Sequence, residues 1–143
     1  MILNERQYRT SQKKLRETSA SIEQLHGGSG DLAADDRRAA IASLEAFIKQ
    51  VRHEIAEYDA LRSGTRPVLS IAALDELPLA LIRARIAQQL TQAQLAERLG
   101  MKEQQLQRYE VQRYSGASLE RLTEVAAALG LKIEGTATVA TRV

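Results

Sequence analysis

Apolar positions recur at three- and four-residue steps through most of the chain, and this period predicts a mainly α-helical protein. Over residues 4–26, Tyr8, Leu15 and Ile22 fall seven residues apart with Leu25 beside them, and polar side chains occupy the other positions. Asn4 stands where a helix cap belongs. A stripe this thin needs a partner helix. Asp35–Arg62 can supply one, because Leu44, Ile48, Val51, Ile55, Tyr58 and Leu61 lie along one face that Phe47 broadens. The intervening Gly27-Gly28-Ser29-Gly30-Asp31 breaks both patterns and is read as a loop. The two segments are expected to fold back on each other as an antiparallel hairpin.

Ser63-Gly64-Thr65-Arg66-Pro67 combines glycine, proline and short polar residues, which marks a boundary. It divides the chain into residues 1–65, the hairpin, and residues 66–143. In the second part a helix is expected from Leu77 to Gln89, with Pro78 in its first turn. Leu79, Ile82, Ile86 and Leu90 are placed inward. Arg83 and Arg85 are placed outward, where either could meet a phosphate. Thr91 followed by Gln94 has the form of a capping box, and Leu95, Ala96 and Leu99 continue the apolar face to a terminating Gly100. Lys102–Glu110 is a second short helix. Leu106 and Tyr109 turn inward, while Glu103, Gln104, Gln105, Gln107 and Arg108 are polar. A helix this polar does little for a core, and its side chains are of the kind that bond base edges and phosphates. Two short helices joined by one tight turn fit a helix-turn-helix.

Ser115 or Ser118 then caps a helix carrying Leu119, Leu122, Val125, Ala126 and Leu129, with Gly130 at its end. Residues 131–139 alternate, with Leu131, Ile133, Ala137 and Val139 on related faces. This predicts a short C-terminal β segment bent at Gly135. A lone strand has to pair, and the same strand of a second subunit would satisfy it.

The residues in Ile82–Arg85, Leu90–Ala96, Leu99-Gly100-Met101, Leu106–Glu110 and Leu119–Leu129 resemble, in that order, the Xre-type or phage-repressor helix-turn-helix family. The resemblance covers about 55 of the 143 residues. It implies a sequence-specific transcriptional regulator that binds a double-stranded DNA operator, typically as a homodimeric repressor. It also implies that Gln92 and the stretch Glu103–Gln107, which includes Gln104 and Gln105, approach DNA. Arg108 falls where the family usually carries an arginine. Gln105 is expected to be the glutamine most turned away from the bases, and Arg108 has the alternative of pairing with Glu103 or Glu110. Two departures stand out. Lys102 occupies a capping position where serine or threonine is common, and there its cation would favour the DNA backbone. The connection Val111–Ala117 is longer than the usual glycine-containing turn. Some members of the group are antitoxins, so a cognate toxin and a toxin–antitoxin operon enter as further implications of the resemblance.

Composition changes this picture little. Residues 1–65 carry ten basic and ten acidic side chains, and residues 66–143 carry ten and eight. The sign suits DNA binding by the second part without proving it. Cysteine is absent and the two histidines, His26 and His53, are far apart, so no metal centre or other cofactor is expected. Glu54 and Glu57 have no third group to make an acid–base site, and the glycines at 27–30 lack the lysine of a phosphate loop. An enzyme is therefore not expected. No apolar run is long enough for a membrane span and no leader is evident, which makes the cytoplasm the expected location. The competing reading is a protein-interaction module in which the hairpin binds a partner and DNA binding is vestigial.

Overall fold

The computed structural model describes residues 1–28, 30–64 and 68–141. Ser29 in the expected first loop, and Thr65, Arg66 and Pro67 in the expected boundary, lie outside the described residues. The described residues are mainly helical. They divide into two compact units, one of residues 1–68 with 86–91 and one of residues 69–85 with 92–143.

The first unit is built on α1, Glu5–His26, and α2, Ala34–Arg62, which pack on each other. Asn4 caps α1 by accepting from the Gln7 amide at 2.9 Å, and the Gln7 side chain accepts from the Leu3 amide at 2.8 Å. One orphan donor of the helix and the amide just before its cap are thereby satisfied. The stripe on α2 buries Ile48, Val51, Tyr58 and Leu61. No residue of α1 is fully buried, so the thin stripe read from Tyr8, Leu15, Ile22 and Leu25 contributes half-buried side chains. Tyr8 and Tyr58 meet with ring centroids 5.1 Å apart, and Arg62 lies over the Tyr58 ring while its guanidinium holds Glu5 at 2.7 Å. Phe47 does not join the stripe. It remains 43% exposed.

A single 3-10 turn, Leu74–Glu76, leads into α3, Leu77–Ala87. The second unit then adds α4, Gln92–Arg98, α5, Glu103–Val111, and α6, Leu119–Ala128. Its most deeply buried apolar side chains come from all four helices: Leu81 and Ile82, Leu95, Leu106 and Val125. Ser118, not Ser115, caps α6 by accepting from the Arg121 amide. Leu119 belongs to the apolar pattern of α6 yet is mostly exposed.

Three of these helices end in the same way. After α4 the Met101 amide reaches the Ala96 carbonyl and the Gly100 amide reaches Glu97, with Gly100 at φ +64°. After α6 the Leu131 and Gly130 amides reach Ala126 and Ala127. After α5 the Tyr114 and Arg113 amides reach Tyr109 and Glu110, but here Arg113 holds the left-handed position at φ +50°. Each is a Schellman cap, and glycine is the usual residue at that position.

The expected C-terminal β segment is not formed. Residues 131–141 carry no regular structure, and no strand occurs among the described residues. A strand exists only as part of a ladder, and none of the described residues of the chain provides an edge for 131–139.

Candidate nucleic-acid interface

α4 and α5 pack together through Leu95 and Leu106, both inaccessible to water, with the tight turn at Gly100 between them. The helical period then decides which side chains of α5 face out. Leu106 and Glu110, one turn apart, face in. Gln104, Gln105, Arg108, Val111 and Gln112 share the opposite side and are all exposed. Gln107 sits at the margin, half-buried, with its amide donating to Glu103 at 3.0 Å. Thus Gln105 is presented outward, and Gln107 is the glutamine drawn aside. Lys102 precedes the helix in an extended conformation and makes no side-chain cap, so it leaves its ammonium exposed. Arg108 is exposed and makes no ion pair among the described residues, because Glu110 is engaged elsewhere.

That engagement is the central polar feature of the second unit. Arg85, placed outward by the sequence pattern, is turned in and only 2% exposed. Its guanidinium grips the Glu110 carboxylate with Nε 2.5 Å from Oε1 and Nη2 2.7 Å from Oε2. Gln92 is buried as well, and its Nε2 donates to Oε2 of Glu110 at 2.7 Å. The cluster ties α3, α4 and α5 together by charge-assisted hydrogen bonds. A buried ion pair stays in place only when its remaining hydrogen-bonding capacity is filled, and Gln92 does part of this. Gln92 therefore acts on the position of α5, with its side-chain nitrogen held inward.

Tyr114 closes the outer end of the same region. Its ring stacks on Tyr109 with centroids 5.6 Å apart and planes 11° from parallel. It is 3% exposed, and its hydroxyl has no hydrogen-bond partner among the described residues. Burial, reinforced by the nearby Glu110 carboxylate, pushes that hydroxyl well above the usual tyrosine range. Arg98 fastens the end of α4 to α6 through the Ala128 carbonyl at 3.2 Å.

The sequence singles out Arg85 only as an outward arginine that could meet a phosphate, and neither Glu110 nor Tyr114 as a site residue. The signal for Arg85 was present, because it follows Leu81 and Ile82 by four and three residues and so shares their buried face. Among the described residues no group of acidic or histidine side chains could hold a metal ion, and no helix is long and apolar enough to cross a membrane.

Residues 81–135 match a family model described as helix-turn-helix. No curated protein and no solved structure matches the chain. The matched span contains α4, its turn, α5 and α6, together with the Arg85–Glu110–Gln92 cluster that holds them. At these residues the chain carries a helix-turn-helix domain of the Xre-type, phage-repressor-like family, the DNA-binding domain of transcriptional regulators.

Proposed function

We propose that the protein is a sequence-specific transcriptional repressor that occupies its operator as a homodimer, with α5 in the major groove. The observation that carries this reading is the outward stripe of α5, which offers two exposed glutamines around an arginine while the opposite side is locked into the core. Gln104 and Gln105 are the base readers, since a glutamine amide can both accept from and donate to adenine. Lys102 and Arg108 meet the phosphate backbone and set affinity. Glu103 and Gln107, bonded to each other, set the flank of the helix. Gln92 positions α5 through Glu110. In this reading residues 66–143 carry DNA binding, and residues 1–65 serve assembly or partner contact through surfaces such as the exposed Phe47. A two-fold dimer would place two copies of α5 about 34–36 Å apart, one turn of DNA.

Repression needs no chemistry, because a bound dimer excludes polymerase from the promoter. Nuclease footprinting on the DNA upstream of the protein's own gene tests the reading. A protected pair of half-sites spaced by about one helical turn, lost in the Gln104→Ala/Gln105→Ala variant, is the expected result. Equal binding to the upstream region and to random DNA of the same length would overturn it.

A further inference from the structure

We infer that residues 131–135 pair antiparallel with the same residues of a second copy of this chain, about a two-fold axis at Ile133. The inference deepens the dimeric reading above by naming its contact, and its test is made without DNA.

The tail leaves α6 with the Leu131 amide fixed on the Ala126 carbonyl at 3.0 Å. Beyond it, residues 132–141 make no backbone hydrogen bond to any described residue. A stretch with open amides and carbonyls is a template for another strand. Leu131 and Ile133 line a shallow groove of ≈ 260 Å³ together with Leu77, Leu122 and Ala126. The groove is open, and Ile133 on its rim is 51% exposed.

The second copy is chosen as occupant because this stretch is complementary to itself in charge. In an antiparallel pair centred on Ile133, each Lys132 faces the Glu134 of the other copy, so the symmetry makes the pair twice. Ile133 faces Ile133. Leu131 faces Gly135, and around Gly135 a side chain would find open space. Alternation puts Leu131, Ile133 and Gly135 on the groove side and Lys132 and Glu134 on the other. The ion pair that Lys132 and Glu134 already make within the chain, both well exposed, agrees with their sharing a side. Parallel pairing in register would set lysine against lysine and glutamate against glutamate, which is repulsive. Exposed ion pairs contribute little affinity. The charges therefore select direction and register, and covering Ile133 and the groove supplies the driving force.

The test uses the full chain in sedimentation velocity at on the order of tens of micromolar, where a working dimer should be populated. The wild-type chain is expected to be dimeric. Lys132→Glu alone and Glu134→Lys alone should each weaken association about tenfold or more, since each sets like charges opposite one another twice. Mixing the two variants is the decisive arm. One copy then offers two acids and the other two bases, so a heterodimer should form with roughly wild-type strength. The ion pair within a single chain would gain nothing from mixing. Ile133→Asp should be monomeric with unchanged helical circular dichroism. A monomeric wild-type chain, single charge variants that associate as well as wild type, or a mixture no more associated than its components would each overturn the inference. A chain that dimerises as described yet ignores operator DNA overturns the operator reading alone.

Discussion

Arg85 and Glu110 meet through two parallel hydrogen bonds, both side chains almost wholly removed from water. The pair joins the helix before the helix-turn-helix to the last turn of α5. Removing one partner strands a buried charge, which costs about 3–5 kcal/mol, whereas exchanging both for apolar groups of similar volume is close to neutral. Arg85→Ala and Glu110→Ala are each expected to lose stability of that size in urea unfolding. Arg85→Met/Glu110→Leu should recover part of it, since the buried Gln92 amide then loses its acceptor, and the double-mutant cycle closed with the Arg85→Met and Glu110→Leu singles should show a large coupling. Single variants that unfold like the wild type would show that the contact does not hold α5.

Tyr114 carries a buried hydroxyl with no hydrogen-bond partner among the described residues. Phenylalanine keeps the ring on Tyr109 and removes the desolvated group. Tyr114→Phe is expected to raise stability at neutral pH by roughly 1–2 kcal/mol. The pH dependence has a definite sign. In the unfolded chain this tyrosine titrates near 10.0, and in the native chain its pKa is higher. Above pH 10 the unfolded state has released a proton that the native state retains, so stability falls as pH rises. The variant should lose part of this alkaline slope. A remainder should persist, because the hydrogen bond to Asp59 also raises Tyr8. Urea midpoints at neutral and alkaline pH measure both effects. A variant less stable than wild type at neutral pH would mean that the hydroxyl has a partner.

The helices were legible in the sequence because their period is written in many residues at once. Asn4 as a cap, Gly100 as a stop and Leu106 as an anchor each act locally, and the structure agrees at each. The buried cluster was not legible in the same way. Arg85, Gln92 and Glu110 are 7 to 25 residues apart along the chain, and only the folded arrangement satisfies them. Charged side chains default to the surface in a pattern reading, which puts Arg85 outside, and the resemblance names Gln92 as a contact residue. The tail shows a different limit. Its alternation fits a strand, but a strand requires an edge, and residues 131–139 contain only one half of such a pair.

The roles given to Gln104, Gln105 and Lys102 separate experimentally. A base-reading contact changes discrimination, and a phosphate contact changes affinity for every sequence. Gln104→Ala and Gln105→Ala should together reduce preference for the operator over random DNA, each by about 1–3 kcal/mol where its amide meets a base. Lys102→Ala should weaken both complexes alike and make the dependence of log K on log salt shallower by about one unit. Titrations at several salt concentrations with both DNAs distinguish the two. A Lys102→Ala loss confined to the operator would reassign this residue to base reading.

Arg113 occupies the position where α4 and α6 each place a glycine. A left-handed conformation costs a side-chain-bearing residue about 1–2 kcal/mol. Strain of this kind persists where surrounding structure imposes it, and here the stacked Tyr109–Tyr114 pair flanks the turn. The side chain itself is exposed directly beyond α5, and it makes no ion pair among the described residues. The retained strain is therefore accounted for if the charge meets the DNA backbone. Arg113→Gly should then move two quantities in opposite directions. Stability should rise by about 1 kcal/mol, as the cap gains its favoured residue. Affinity for operator and random DNA should fall together, with the salt slope shallower by about one. Arg113→Asn, which tolerates the same backbone but lacks charge, should match the glycine variant on DNA while gaining less stability. Urea unfolding and salt-dependent binding on the same preparations provide the comparison. If Arg113→Gly became more stable and bound DNA as tightly as wild type at every salt concentration, the strained arginine would have no part in recognition.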